Sequence, residues 1–258
     1  MEEKNQSKSK VKKTLYTMFF KRFFDILLSG LALIILSPVF LVVSIISRIK
    51  MGKGVILKNN SSYRPGKNNK IFTLYKYRSM LNTRDENGEL LPDRERMTKF
   101  GNMLRKTSLD ELPQLWNIFK GNMSIVGPRP KLVKDMVFYN DEQNIRAKVR
   151  PGLTGLAQVN GRNNATWEEV FAYDKEYAEK LNFAMDFKIF FKTIGKVFKK
   201  SDIVEQNQTK QAYYFGDYLL ETDQISKEEY DEKQNKAKEL IAALKPQKNT
   251  ETKIKKKA

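Results

Sequence analysis

The chain has 258 residues, with 48 Lys plus Arg against 30 Asp plus Glu, a formal net charge of +18, and neither Cys nor His. Those absences exclude disulfide scaffolds, zinc fingers, Ser-His-Asp triads, Cys nucleophiles and imidazole bases, leaving carboxylates, Lys, Arg, hydroxyls or a hard cation for any chemistry. The length suits one globular domain with extensions, and the positive excess favours a polyanionic partner: phosphorylated substrates, an anionic membrane surface or nucleic acid.

Residues 1–20 form a basic, polar extension. From Ile26 to Ile46 run 21 residues without a charge, enough helix at about 1.5 Å per residue to cross a hydrocarbon core of about 30 Å. Residues 21–50 therefore predict a membrane helix. A signal peptide fits poorly, because the run is long and no small-residue cleavage pattern follows. Ser37-Pro38 falls near its middle, where proline deletes a backbone hydrogen bond and kinks a helix. Both flanks are basic, Lys21 and Arg22 before and Arg48, Lys50 and Lys53 after, which removes any preference for crossing. A bent helix that enters and leaves on one face satisfies both observations; a kinked transmembrane helix is the alternative.

Residues 51–200 predict a compact catalytic domain of mixed α/β class, mainly helical. Val55–Leu57 and Ile71–Tyr75 read as short strands around a turn-rich segment. Helices are predicted from Met97 to Lys106 and from Leu109 to Lys120, the second stopped by Gly121. Glycine-punctuated loops follow (SIVGPRP and VRPGLTGLAQVNGR), of the kind that shape a site. In Thr166–Leu181, Thr166 and Glu169 form a capping box, and Trp167, Val170, Phe171, Tyr177, Ala178 and Leu181 share one face with Asp174. A carboxylate on an apolar stripe is either a satisfied ion pair or a functional ligand. In Ala184–Lys200 a stripe of Phe187, Phe190, Phe191, Ile194, Val197 and Phe198 opposes Lys188, Lys192, Lys196, Lys199 and Lys200. That is the pattern of a helix lying in a membrane interface, or of a core-facing helix with a solvated basic side.

Residues 201–258 hold a linker, a plausible helical hairpin begun by Ser226 and Glu229, and a basic, disordered tail. The hairpin reads as an interaction or self-association module. No internal repeat, P-loop or G-x-G-x-x-G pattern occurs, and no nucleic-acid motif accompanies the charge, so nucleic acid is not the expected partner.

The densest constellation is Thr98–Pro130, TKFGNMLRKTSLDELPQLWNIFKGNMSIVGPRP. Asp110 and Glu111 stand at a predicted helix start, just after Arg105 and Lys106, with Arg129 between two prolines. A helix N-terminus beside Arg and Lys suits a phosphate, and a carboxylate held there stays ionised, as a nucleophile or magnesium ligand must. Ser108 and Glu111 equally fit a structural capping box.

Four strings settle the choice: KRFFDILLSGLALIILSPVFL, then YRPGKNNKIFTLYKYRSM, then FGNMLRKTSLDELPQLWNIFKGNMSIVGPRP, then VRPGLTGLAQVNGRN. Together, from about Lys21 to Lys200, they closely resemble the bacterial sugar transferases known as monotopic phosphoglycosyl transferases. The resemblance implies transfer of a sugar phosphate from a UDP-sugar to a polyprenyl phosphate such as undecaprenyl phosphate, releasing UMP and priming surface polysaccharide or glycoconjugate synthesis. It implies Asp110 as nucleophile, Glu111 as a ligand of Mg2+, and Asp174 as an acid supporting metal and dyad. Pro128, Arg129 and Pro130 would hold the nucleotide or its phosphates, and Ser37 and Pro38 would break a re-entrant helix. Arg105 is expected to neutralise charge on the diphosphate, Lys76 to bind substrate, and Lys21 and Arg22 to meet the carrier's phosphate at the membrane lipid. The expected location is the bacterial inner membrane, monotopic, with the catalytic domain on the cytoplasmic face.

Overall fold

The uncharged N-terminal stretch forms two helices rather than one. In the computed structural model, which describes residues 11–57, 62–161, 165–199 and 214–244, a π-helical turn Tyr16–Phe20 leads into α1 (Lys21–Ile35), and α2 (Ser37–Met51) follows at a bend of 61°. Leu36 leaves helical geometry at φ −87°, ψ 4°, and Pro38 falls in the first turn of α2, where its missing N–H costs nothing. Ser37 Oγ donates to the Ile34 carbonyl at 2.8 Å, so the Ser-Pro break stands where the sequence placed it. Among the described residues no single helix is long and apolar enough to cross a membrane.

One side of the bent pair lies on the domain. Ala32, Leu33, Leu36 and Phe40 pack against a cluster containing Phe72, Leu115, Ile118 and Met123, and Val43 joins Tyr77 and Leu104 in a second. The opposite side is bare, with Leu31, Ile34, Ile35, Leu41, Ile45 and Ile49 all exposed.

The domain is built of short pieces. β1 (Tyr63–Pro65) pairs antiparallel with β2 (Ile71–Thr73), Tyr63 opposite Thr73. The strand expected over Val55–Leu57 is reduced to a single Ile56–Tyr77 bridge. Then come α3 (Asp93–Arg96), α4 (Lys99–Lys106) and α5 (Gln114–Lys120). The helix expected from Leu109 to Lys120 is split, because Pro113 separates a 3-10 turn over Leu109–Glu111 from α5. Ser108 is left-handed at φ 55° and makes no side-chain cap, so the capping box expected with Glu111 is not formed.

β3 (Ser124–Val126) runs parallel to β4 (Gly152–Thr154) across an excursion that includes α6 (Val133–Met136). α7 (Leu156–Asn160), α8 (Trp167–Lys180) and α9 (Phe183–Lys199) complete the family-like part. Thr166 and Glu169 form the expected capping box, and α8 buries Trp167, Val170, Phe171, Asp174, Tyr177 and Ala178 as its spacing predicts. In α9, Asp186 and Ile189 are buried, whereas Phe183, Phe187, Phe190 and Phe191 are exposed. The phenylalanines of its stripe through Phe191 therefore face outward, while Asp186 and Ile189 turn the other side of the helix to the core.

The C-terminal hairpin exists as α10 (Phe215–Glu221) and α11 (Lys227–Ala242), the latter capped by Ser226, whose Oγ accepts from Glu229 N–H at 3.2 Å. It folds back on its own domain, with Phe215 and Leu219 buried against Phe138, Trp167 and Phe171. The first ten residues and the basic tail over 245–258 lie outside the described residues.

Candidate active site

The site is assembled where the 3-10 turn, the chain leaving β2 and the loop after β3 meet. Asn117 of α5, fully buried, donates from Nδ2 to the Thr73 carbonyl at 2.8 Å and accepts from Tyr75 N–H at 2.8 Å. Tyr77 N–H donates to the Asp110 carbonyl at 2.9 Å. These three bonds fix Lys76 against the turn. Its Nζ stands 2.8 Å from Asp110 Oδ2 and 3.5 Å from Glu111 Oε1, and Arg129 Nη2 donates to Glu111 Oε1 at 2.8 Å.

Asp110 is only 2% exposed. Burial pushes its carboxyl above the ordinary range, and Lys76 opposes that push. Glu111 differs: burial raises it too, but Arg129 and Lys76 outweigh the cost and hold it down to about 2. The turn thus carries one carboxylate whose ionised form its cations favour beside one that burial pushes up and Lys76 holds back. Full ionisation, expected from a helix N-terminus, applies to Glu111; for Asp110 the α-helix starts one turn too late, at Gln114.

Arg105 Nε donates to Ser79 Oγ at 2.9 Å, and its charge favours ionised Asp110. The Pro128-Arg129-Pro130 segment is held by the parallel strand pair: Gly127 N–H donates to the Thr154 carbonyl at 2.8 Å and Gly152 N–H to the Pro128 carbonyl at 2.9 Å. A Cβ on Gly127 would stand 2.3 Å from the Arg150 carbonyl oxygen, so only glycine permits this approach. Behind the loop, Arg146 Nη2 donates to the Arg129 carbonyl at 2.5 Å and pairs with Asp174 Oδ2 at 3.1 Å, while Nη1 donates to Tyr139 Oη at 2.9 Å.

Next to the dyad opens a shallow cleft lined by Pro65, Gly66, Asn69, Arg129, Lys131 and Arg146. Lys131 is held down to about 8 by burial and by the like charge of Arg146. Desolvated cations in a cleft beside carboxylates suit an anionic ligand.

The structure brings Asp110, Glu111, Lys76, Arg129 and the flanking prolines together, with Arg105 at the edge. It places three predicted residues elsewhere. Asp174, 2% exposed, lies behind the Pro-Arg-Pro loop, its Oδ2 paired with Arg146 at 3.1 Å. Lys21, expected at a carrier phosphate, is buried; its Nζ pairs with Asp186 Oδ2 at 2.5 Å and donates to the Val126 carbonyl at 3.0 Å. Arg22 donates to the Ile118 and Phe119 carbonyls at 2.6 and 2.7 Å, closing the C-terminus of α5. Both residues weld the N-terminal helix to the domain, helped by Asp25 Oδ1, which accepts from Ser124 Oγ at 3.0 Å and Ile125 N–H at 2.9 Å. Lys131, Tyr139 and Arg146, which line the cleft, and Asn117, which braces the turn, were not singled out in the sequence. For Arg146 a signal existed, since a lone Asp174 on an apolar face demands a buried cation.

Among the described residues no group of three or more acidic side chains would hold a metal ion. Magnesium needs fewer, because it is commonly held by one or two carboxylates with substrate phosphates and water. Glu111, paired with Arg129 and Lys76, and Asp174, paired with Arg146, are the carboxylates expected to serve it, and Glu111 is the one that stands at the cleft.

Comparison with known proteins agrees with this arrangement. The family model for bacterial sugar transferases matches residues 16–200. The chain is 42% identical over 199 residues, 77% of its length and 97% of the relative's, to the uncharacterized sugar transferase EpsL of Bacillus subtilis (strain 168). It is 38% identical over 198 residues, 69% of its length and 84% of the relative's, to the exopolysaccharide production protein ExoY of Sinorhizobium fredii (strain NBRC 101917 / NGR234). Over 191 residues, 70% of its length and 40% of the relative's, it is 38% identical to a UDP-glucose:undecaprenyl-phosphate glucose-1-phosphate transferase of Klebsiella pneumoniae. With a family match that takes in the bent helix pair, the carboxylate turn and the Pro-Arg-Pro loop, the chain belongs to the bacterial sugar transferases and is an enzyme of that family.

Proposed function

We propose that the protein transfers a sugar 1-phosphate from a UDP-sugar to a polyprenyl phosphate, releasing UMP, with Asp110 carrying the phosphosugar between two half-reactions. The observation that carries the reading is the desolvated Asp110 carboxylate, 2.8 Å from Lys76 Nζ and adjacent to the Glu111–Arg129 pair at the mouth of a cationic cleft. The name of the Klebsiella relative, which specifies a UDP-sugar and undecaprenyl phosphate, supports the substrate pair.

In the first half-reaction an Asp110 oxygen attacks the sugar-bearing phosphorus, the bond to the bridging oxygen breaks, and UMP leaves with that oxygen. In the second, a phosphate oxygen of the polyprenyl carrier attacks the same phosphorus and the acyl phosphate bond breaks. Polyprenyl diphosphate sugar departs and the Asp110 carboxylate returns. The reacting forms are the Asp110 carboxylate and a phosphate oxyanion of the carrier, so no general base is required, in keeping with a chain that lacks His. Lys76 favours the ionised form of Asp110, Arg129 and Lys131 receive the diphosphate, and Arg105 at the edge of the site adds to the neutralisation of its charge. Magnesium, held through Glu111 and the donor's phosphates, would supply further neutralisation of the diphosphate.

The carrier is membrane-bound, and the exterior of the fold suits that. Bare apolar faces of α1 and α2, the 61° bend, and exposed phenylalanines of α9 beside Lys188 and Lys192 form one surface type. Such a surface seats aromatics in the acyl boundary and lysines at headgroups. The protein is read as monotopic on the cytoplasmic face of the bacterial inner membrane.

Detergent-solubilised protein given polyprenyl phosphate, Mg2+ and a panel of UDP-sugars should release UMP with at least one donor. No UMP from any member of the panel would contradict the reading.

A further inference from the structure

The family match ends at residue 200, yet the hairpin beyond it is packed directly behind the cleft. Phe215, 2% exposed, sets its ring 5.1 Å from Trp167, 5.0 Å from Phe171 and 5.8 Å from Tyr139. Its N–H donates to Asp135 Oδ1 at 2.9 Å, and Asp135 Oδ2 accepts from Leu132 N–H at 3.1 Å. One buried carboxylate therefore ties the start of α10 to the chain just after Pro130. The approach is tight, since a Cβ on Gly216 would stand 2.5 Å from the Phe138 ring. Tyr218 Oη donates to Glu168 Oε1 at 2.7 Å, and Tyr230 Oη to Asp217 Oδ1 at 2.6 Å, locking the hairpin to α8 and to itself.

The rings that Phe215 touches are the rings that hold the cleft's cations. Lys131 Nζ sits 4.3 Å over the Trp167 ring. The Arg146 guanidinium lies 5.4 Å from the centre of Tyr139 and 5.9 Å from that of Phe171, and donates to Tyr139 Oη. Lys131, Tyr139 and Arg146 line the cleft, whereas no residue of the hairpin does. Like charges crowded at a desolvated wall repel one another, and aromatic faces backed by further packing keep them in place.

We propose that residues 214–244 are a positioning element for donor binding: through Phe215 they fix Trp167 and Tyr139, and through those rings Lys131, which receives the anionic part of the nucleotide donor, and Arg146, which holds the Arg129 loop from behind. The inference rests on the reading that this cleft takes a UDP-sugar. It gives the hairpin a role within its own chain, separate from the self-association or partner binding expected of residues 201–258.

The test uses full-length protein, UMP-release kinetics in both substrates, and calorimetric binding of UMP. Phe215→Ala should raise the donor KM about tenfold while kcat changes by less than about twofold, the size expected when a charge-assisted contact is misplaced. The polyprenyl phosphate KM should not move, and Phe215→Leu, which refills most of the volume, should recover most of the donor KM. Tyr139→Phe should raise the donor KM by itself, and its combination with Phe215→Ala should give less than the product of the two effects. A folded Phe215→Ala protein with an unchanged donor KM overturns the proposal, as does an equal loss in kcat and both KM values. Should Phe215→Ala not fold, Tyr230→Phe, which only loosens the hairpin at Asp217, should still raise the donor KM about two- to threefold, and no rise overturns the proposal. Failure of the wild type to release UMP would instead strike the proposed function. Calorimetry would then decide the inference separately, through weaker UMP binding in Phe215→Ala.

Discussion

Asp110→Asn should abolish UMP release, with a loss of about 10⁴-fold or more, as expected when the nucleophile of a covalent mechanism is removed. The amide is nearly isosteric and cannot form the acyl phosphate. The fold should survive, because burial already opposes charge at this position and Asn removes that charge. Thermal unfolding within a few degrees of wild type, together with normal UMP binding, would separate lost chemistry from lost structure. Asp110→Glu makes the point geometrically. Its carboxylate is displaced by one methylene on a turn fixed by left-handed Ser108 and by Pro113, and a displacement of about 1 Å costs on the order of 10²-fold. Substantial activity in Asp110→Asn would remove the covalent mechanism.

Lys76→Met carries the second large effect, and its signature is a pH profile. Lys76 is the cation that opposes the upward push of burial on Asp110. Without it the Asp110 pKa rises further, so a smaller fraction is ionised at neutral pH. The active form is the carboxylate, hence activity is present above the Asp110 pKa and lost as pH falls through it. The acidic limb of kcat/KM should therefore move to higher pH, and the plateau should fall about 10²-fold with the loss of a preorganised charge. Glu111 stays ionised, since Arg129 still pairs with it at 2.8 Å. Lys76→Arg, which keeps the charge, should restore the limb more fully than the plateau. A limb that stays in place would show that another group governs Asp110.

Elements written in local chemistry were readable in the sequence. The break at Ser37-Pro38, the Thr166 capping box, the buried face of α8 and the end of α5 before Gly121 follow from rules that span a few residues. What escaped is set by partners far along the chain. Pro113 divides the helix expected over 109–120, yet the turn's conformation depends on Ser108 and on the Tyr77 bond to Asp110, neither of which has a local pattern. Lys21 looked like a surface cation at a membrane boundary; only folding reveals Asp186, 165 residues away, as its partner. Asp174 was visible as an anomaly on an apolar stripe, but its partner Arg146 was not. The carboxylate turn and the Pro-Arg-Pro loop were legible through resemblance, while the Lys131, Tyr139 and Arg146 wall arises from segments no single motif contains.

The most direct measurement is intact-protein and peptide mass spectrometry of enzyme quenched after exposure to an accepted UDP-sugar and Mg2+, with no polyprenyl phosphate present. The account predicts a mass increase of one sugar phosphate, localised to Asp110 and discharged on adding the lipid phosphate. Unmodified protein under those conditions, with normal turnover once both substrates are supplied, would contradict it.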